Sequence, residues 1–545
     1  MLVRLVKYVT AGAVAVLLLA FVSACGGSSS SSSTSAGSAA SRNDEDVNGV
    51  QAPAPQSGGS LTVLLEASYS GAWPTGLDPA TNTTGGANQS QMNAIFGQLF
   101  QLTEDGKLKP DLATDYKFED GGKSVLITLR DGVTFTDGTT LNAEAFVWNI
   151  KRDMDSPCTC KPLWQLKDVS AVDDHTVRID LKSPNGALIN GMLVSNVNWL
   201  ASPTAFKKMG PQQFKMKPVG AGPFKVVSDK LSNELVLERN PDYWEKGRPY
   251  LDKLTFRSTA NDESALQALQ AGQAQVYEGM STPSLLDAYK NAGLTVTKEP
   301  STSPYVIQLN TKAPPFDDKR AREAIYAATN SQLIVEKLFD NAETVVQSFT
   351  APGGLFYQKD VSGYPPYDLD KAKQLVKELG GLKVDFFTLQ SPVNTSFMKA
   401  LQTMWQQAGI ETTIHLYTLN GLIQEFQKPN WQAALQTAGA WDPPAGVGVS
   451  FRFNSTSPYS GVKDPKVDDL INQGQGSVDP AERKQAYDEL GAYIAQNAYA
   501  PFLFPLSSYS IATDGVYGPG ITTQIPTVAV DAPIQYQDAF RTSGQ

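Results

Sequence analysis

The pattern of hydrophobic and polar positions predicts short strands and amphipathic helices spread along the chain. Leu61 to Leu65 is a largely apolar run that contains one polar residue, Thr62, and it predicts a first strand buried on both faces. The residues from Val169 to Leu181 alternate in polarity around Asp173-Asp174, which predicts a hairpin. Apolar stripes at helical spacing follow polar residues that predict helix N-caps, namely Asp262, Asn330, Asp368 and Asp479.

The segment from Leu129 to Arg152 combines turn and helix signals. Asp131-Gly132 predicts a turn that folds Val133 to Phe135 back as a strand, so that a hairpin forms. Asp137-Gly138 predicts a second turn, and Asn142 offers a capping oxygen to a helix that begins near Ala143. The helix has an apolar face made of Phe146, Val147, Ile150 and Met154. A compact unit of strand, turn and helix is expected here.

This segment resembles the signature of family 5 extracytoplasmic solute-binding proteins, the peptide- and nickel-type receptors of ABC importers. The usual form of the signature is L-R-x-G-V-x-F-x-D-G-x-x-x-x-A-x-D-V, and Glu144 and Phe146 stand near the usual Asp-Val. Similar matches extend from about Leu61 to Phe504. They include Leu77-Asp78-Pro79, Gly220 to Phe224, Asn240 to Trp244 and Pro315 to Ile325.

The resemblance implies an α/β fold, a two-lobed periplasmic-binding-protein-like (type II) clamp with an additional inserted domain. In such a clamp, a hinge lets the lobes close on a solute. A discontinuous lobe I is expected at residues 60–100, 222–310 and 500–545, the inserted domain at 101–221, and lobe II at 311–499.

Length and charge agree with a large protein that does not bind nucleic acid. A chain of 545 residues is too long for one core and divides into two or more domains. Its formal net charge is −10, and no basic run is present. Because phosphate binding needs a concentrated Lys/Arg surface, nucleic acid is not an expected partner.

The N-terminus predicts export and lipid anchoring. Arg4 and Lys7 precede an apolar run from Val9 to Val22, which has the length of a signal-peptide core. Val22-Ser23-Ala24-Cys25 then resembles a bacterial lipobox, with residues 1–24 as the lipoprotein signal peptide and a diacylglyceryl group on Cys25. An ordinary signal peptide cleaved nearby is the alternative. The Ser/Gly/Pro-rich residues 25–59 are expected to be a disordered tether on the outer face of the cell membrane.

The remaining cysteines and the histidines offer little for metal binding or catalysis. Cys158 and Cys160 are expected to form a small disulfide, because the protein is exported, or to stay as two thiols. His175 and His415 have no metal-ligand spacing to this pair, so no metal or cofactor is expected. The chain has no G-x-S-x-G, no Cys near a His and no telling pair of carboxylates, so we expect no enzymatic activity.

Aromatic residues near strand ends are candidates for ligand binding. Tyr69 and Trp73 lie in the loop after the first strand, and ligands collect at the carboxyl ends of strands in α/β sheets. Trp441 could cover an apolar or sugar-like face of a ligand, and Trp199 of the inserted domain could face it from across the cleft. Packing inside the protein is the alternative for each of them.

The segment around Trp441 bears on specificity. In oligopeptide-binding members, an acid in a segment like W-x-A-D-Y-x-D/E-P pairs with the free amino group of the peptide. The corresponding position here is Gly439, and Asp442 is the only carboxylate nearby. Asp442 either takes over the anchoring role or starts an Asp-Pro turn.

The expected function follows from the resemblance. The chain is expected to be a monomer that captures a small solute, most readily a di- or oligopeptide, and delivers it to an ABC permease. The alternatives are a non-peptide solute, such as an oligosaccharide, a nickel chelate or haem, and a lipid-anchored receptor that takes no part in transport.

Overall fold

A computed structural model describes residues 52–67, 70–83, 86–156, 165–280, 282–439, 441–446, 448–525 and 534–542. The strands are β1 (Ser60–Glu66), β2 (Phe100–Leu102), β3 (Leu108–Pro110), β4 (Ala113–Glu119), β5 (Ser124–Leu129), β6 (Leu166–Ala171), β7 (Thr176–Leu181), β8 (Phe224–Lys230), β9 (Glu234–Arg239), β10 (Lys253–Thr259), β11 (Val276–Met280), β12 (Thr295–Glu299), β13 (Pro304–Leu309), β14 (Leu382–Leu389), β15 (Ile410–Tyr417), β16 (Ala433–Thr437), β17 (Phe502–Pro505), β18 (Ser508–Ala512), β19 (Val516–Tyr517) and β20 (Phe540–Arg541).

The helices lie between these strands. They are α1 (Gln89–Phe96), α2 (Ala143–Met154), α3 (Leu188–Leu193), α4 (Pro203–Met209), α5 (Pro211–Phe214), α6 (Asp262–Gln270), α7 (Leu286–Asn291), α8 (Lys319–Ala328), α9 (Ser331–Phe339), α10 (Leu369–Glu378), α11 (Pro392–Gln407), α12 (Leu419–Phe426), α13 (Val449–Phe453), α14 (Pro465–Gly476) and α15 (Pro480–Gln496). A search of the described part of the chain finds no helix with the length and hydrophobicity of a membrane span.

The largest sheet has seven strands in the order β12-β18-β11-β1-β10-β9-β8. The predicted first strand is confirmed as β1, which lies inside this sheet and pairs in parallel with both β10 and β11. Leu61, Val63 and Leu65 pack into the core on one face, and Leu64 packs into the core on the other. The largely apolar run therefore reflects burial on both sides.

A second sheet has five strands in the order β15-β14-β16-β13-β17, and helices α8 to α11 contribute to its core. The chain passes between the two sheets twice, from β12 to β13 through residues 300–303 and from β17 to β18 through residues 506–507. The two passages are anchored by hydrogen bonds. Ser303 Oγ donates to the carbonyl oxygen of Gly439 at 2.6 Å, and Ser507 donates from N and Oγ to Glu343 at 3.0 and 2.9 Å.

The third sheet is antiparallel, with four strands in the order β4-β5-β7-β6, and all of them come from residues 113–181. β6 and β7 form the predicted hairpin. The predicted helix is confirmed as α2, which begins at Ala143 after Asn142, and the Asn142 side chain accepts a hydrogen bond from Ala145 N at 3.0 Å. Phe146 and Ile150 of α2 are buried in the core of this sheet.

The hairpin predicted from the Asp131-Gly132 turn is wrong. Val133 to Phe135 do not pair with β5, because β5 already pairs with β4 on one edge and β7 on the other. Thr134 instead makes an isolated bridge to Thr140 across the turn at Asp137-Gly138. A strand in the middle of a sheet has no edge left for a hairpin partner, and the local sequence does not show which strands are in the middle.

Of the four other predicted helix N-caps, three are confirmed. Asn330, Asp368 and Asp479 each accept a hydrogen bond from a backbone N–H of the first turn. The N-cap predicted at Asp262 is wrong by one residue, because Asn261 Oδ1 accepts the capping hydrogen bond from Ser264 N at 2.9 Å. The Asp262 carboxylate accepts instead from the hydroxyl of Tyr277.

Candidate functional site

A loop that follows β16 of the five-stranded sheet packs into the core of the four-stranded sheet. We call residues 441–446 the junction loop. Its chain enters from β16 of the five-stranded sheet, yet Trp441 and Ala445 are buried in the core of the four-stranded sheet, beside helix α3 residues such as Leu188 and Met192. The carbonyl oxygen of Trp441 accepts a hydrogen bond from Leu355 N at 2.7 Å. The predicted binding residue Trp441 therefore lies where two parts of the fold meet.

Asp442 is the charged centre of this junction. Its side chain is completely buried, and both carboxylate oxygens accept from Nη2 of Arg483 on α15, at 2.7 and 2.9 Å. Oδ2 also accepts from Nδ2 of Asn190 on α3, at 2.7 Å. Asp442 is thus tied to α15, 41 positions later in sequence, and to α3, 252 positions earlier.

The ion pair between Asp442 and Arg483 is electrically neutral and almost fully buried. Burial lowers the pKa of Arg483, but the facing carboxylate of Asp442 has the opposite effect, and the pKa is raised overall. Arg483 also donates from Nε to the carbonyl oxygen of Gly474 at 2.8 Å, and its guanidinium lies 5.0 Å from the ring of Phe356.

Gly439 has no room for the acid that oligopeptide-binding members carry. A Cβ atom there would lie 2.7 Å from the carbonyl oxygen of Phe349 and 3.2 Å from Cα of Ser303. Distances under 3.0 Å to backbone force the chain to shift. The glycine predicted to replace the anchoring acid is therefore also a packing requirement beside residues 300–303.

A second contact between the same two parts lies at Gly186, which precedes α3. Gly186 N donates to the carbonyl oxygen of Gln475 at 2.8 Å, and a Cβ atom on Gly186 would lie 1.8 Å from the carbonyl oxygen of Ser477. A Cβ atom on Gly122, after β4, would similarly lie 3.0 Å from Cγ1 of Val478. The link between α14 and α15 therefore packs closely against one end of the four-stranded sheet, where β4 and β7 end.

Trp73 and Trp199 lie elsewhere, in the core cluster of the seven-stranded sheet. Trp73 Nε1 donates to Asp229 Oδ1 at 2.9 Å, and Trp199 Nε1 donates to Asn93 Oδ1 at 2.8 Å. Both rings are fully buried, and Trp199 does not pack in the cluster that contains Trp441. Their roles in ligand binding stay predictions.

Four predicted residues lie outside the described residues, namely Cys25, Tyr69, Cys158 and Cys160. Within the described ranges, no group of three or more His, Cys, Asp or Glu side chains is arranged to hold a metal ion. His175 and His415 each face one Asp at 3.5 and 3.4 Å and are more than a third exposed.

The sequence analysis missed Asn190 and Arg483. Arg483 carried a detectable signal, because Ala486, Tyr487 and Leu490 follow it at helical spacing and all are buried. A charged residue inside a buried stripe needs a partner, but the sequence did not show which carboxylate supplies it. Asn190 gave no such signal, since nothing local distinguishes it from an exposed Asn.

Comparison with known proteins decides the family. The sequence model described as bacterial extracellular solute-binding proteins, family 5 Middle, matches residues 107–460, more than half of the chain. The chain belongs to this family. The match confirms the resemblance found in the sequence, and it places the protein among the extracytoplasmic solute-binding proteins, which are not enzymes.

Individual relatives of this family 5 protein bind peptides or glutathione, by their names. The glutathione-binding protein GsiB of Shigella flexneri serotype 5b is 29% identical over 444 residues, which cover 76% of this chain and 83% of that protein. The GsiB of Escherichia coli K12 is 28% identical over 443 residues, with the same coverage.

Solved structures confirm the two-lobed type II periplasmic-binding fold class. The ABC transporter substrate-binding protein CtaP of Listeria monocytogenes has a TM-score of 0.75 at 24% identity, covering 90% of this chain and all of that one. A dipeptide-binding protein from Pseudoalteromonas sp. SM9913, in complex with Met-Leu, has a TM-score of 0.74 at 21% identity, covering 89% of this chain and all of that one.

Proposed function

We propose that this family 5 protein binds a short peptide or a peptide-like solute such as glutathione and delivers it to an ABC permease. The observation that carries the proposal is the match of residues 107–460 to the family 5 solute-binding model. The buried contact of Asp442 with Arg483, and with Asn190 from another part of the fold, supports closure around a solute. The names of the relatives support the choice of solute.

Closure of two lobes would bring these groups together. Residues 300–303 and 506–507 are the two passages between the large sheets and are the proposed hinge. Around them we propose the domain boundaries of the sequence analysis, with lobe I at 60–100, 222–310 and 500–545, the inserted domain at 101–221 and lobe II at 311–499. The free energy of closure must come from contacts made only in the closed state.

A ligand panel tests the proposed function. We expect glutathione or short peptides, at a hundred times their dissociation constant, to stabilise the soluble body from Gln56 onward by about 2.7 kcal/mol. Thermal unfolding with glutathione, di-, tri- and longer peptides, oligosaccharides, nickel chelates and haem measures this. A response confined to sugars, chelates or haem would keep the family assignment and overturn the peptide proposal.

We also propose that the protein is tethered to the outer face of the membrane through a lipid on Cys25. Cys25→Ser should release the protein from the membrane fraction or leave its signal peptide uncut, because the serine hydroxyl cannot form the thioether. Cell fractionation and intact-mass measurement check this, with Cys158→Ser as the matched control that stays in the membrane fraction. Unchanged membrane association and mass of Cys25→Ser would contradict the tether.

A further inference from the structure

Arg452 lies on helix α13, which follows the junction loop in sequence. The side chain is buried, and its Nε donates to the carbonyl oxygen of Thr437 at 2.9 Å. Thr437 is the last residue of β16, and only three residues separate it from Trp441 at the start of the junction loop. The guanidinium of Arg452 is therefore held beside the carboxyl end of β16, a strand of the five-stranded sheet.

The two terminal nitrogens of Arg452 make no hydrogen bond to the described residues, although the guanidinium carbon lies 5.0 Å from the ring centroid of Phe451. No carboxylate of those residues lies within 4.0 Å of Arg452, and Nε makes the one hydrogen bond of its side chain to them. Ala440 and Val447, the two residues of this region outside the description, carry no charge.

The other buried arginines of the described chain are satisfied, which makes Arg452 different from them. Arg483 has Asp442 as its counter-charge. Arg322 donates to the carbonyl oxygens of Phe316 and Asp317 at 2.8 and 3.3 Å, and to that of Asn497.

Arg452 is a buried charge without a counter-charge, which is costly in a folded protein. Burial lowers the pKa of Arg452 to about 9, so the group is still positively charged at neutral pH. The only charged side chain of the junction loop, Asp442, is already neutralised by Arg483. A compensating negative charge would therefore have to come from outside the described chain.

The chemistry of that missing group follows from the shape of the guanidinium. Its two terminal nitrogens form a planar fork that matches a carboxylate, which can accept two parallel hydrogen bonds. We propose that Arg452 binds a carboxylate of the solute. This inference rests on the proposed function and narrows it to solutes with a free carboxylate, such as the C-terminus of a short peptide.

Matched ligands test the inference on the unmodified protein. Isothermal titration of a peptide that binds in the panel, with its C-terminus either free or amidated, should give an affinity about 10- to 100-fold higher for the free acid. Arg452→Gln should bind both forms equally weakly, whereas Arg452→Lys, which keeps the charge, should retain part of the preference. If Arg452→Gln fails to fold, the test uses the ratio of the affinities for the free and the amidated peptide, measured in the unmodified protein and in Arg452→Lys.

Arg322→Gln is the matched control. It removes a buried arginine from the same part of the fold, so it should destabilise the protein without changing the ratio of the two affinities. Equal affinities in the unmodified protein, or a preference that survives in Arg452→Gln, would overturn the role of Arg452 while the binding itself supports the proposed function. If no peptide or glutathione binds, the proposed function fails, and this inference fails with it.

Discussion

Asp442→Ala is expected to lower the free energy of unfolding by about 3–5 kcal/mol, because it leaves the guanidinium of Arg483 buried without a counter-charge. The side chains of both residues are almost fully enclosed, at 0% and 6% exposure, so water cannot take the place of the lost carboxylate. Asn190→Ala should lower the free energy of unfolding by less, about 1.5–3 kcal/mol, since it removes a single hydrogen bond to a charged group.

Urea unfolding of the soluble body measures these differences. Glu489→Ala, further along α15, is the matched control: its partner Lys466 is 2.6 Å away, but both side chains are about half exposed. Exposed ion pairs contribute little to stability, so Glu489→Ala should change the free energy of unfolding by less than about 1 kcal/mol. A loss below about 1 kcal/mol for Asp442→Ala would show that the buried pair is not formed in solution.

The stability effect also decides how Asp442 can be tested as a ligand anchor. Loss of binding in Asp442→Ala alone would not separate anchoring from structure, because the variant is expected to be destabilised around Arg483. Replacing both partners, as in Asp442→Leu with Arg483→Met, removes the unpaired charge and should recover most of the stability. If that double variant is stable but no longer binds the amino end of a peptide, the anchoring role is supported.

Gly186→Ala is expected to lower the affinity for the solute about 10- to 100-fold while each sheet stays folded. The added methyl would lie 1.8 Å from the carbonyl oxygen of Ser477, so the chain before α3 must move away from the link between α14 and α15. Inserting a methyl into a packed contact typically costs about 1–3 kcal/mol, which corresponds to roughly that change in affinity if the contact forms only on closure.

Gly476→Ala is the matched control on the opposite side of the same contact. Its Cβ would have ordinary van der Waals distances, with the nearest atom, the carbonyl oxygen of Pro184, 3.6 Å away. Titration calorimetry with a ligand from the panel should give an affinity close to that of the unmodified protein. An unchanged affinity in Gly186→Ala would mean that this contact does not take part in closure.

Local elements could be predicted where the physical cause is local. The buried run that forms β1, the alternation that forms the β6–β7 hairpin and the Asn142 cap of α2 each depend on neighbours within a few residues. The predicted hairpin at Val133 to Phe135 failed for the opposite reason, because the partners of β5 come from elsewhere in the chain. The family could be predicted because its signature is a long run of such local units.

The sequence by itself determined the family, the fold class and the segment around Trp441 and Asp442. Only the tertiary structure decided what that segment does, by placing Asn190 and Arg483 on the Asp442 carboxylate and leaving Arg452 without a counter-charge. The physical reason is that burial and pairing of charge depend on which distant segments meet. The local sequence around a carboxylate does not distinguish one that is free to bind a ligand from one that is already neutralised by an arginine.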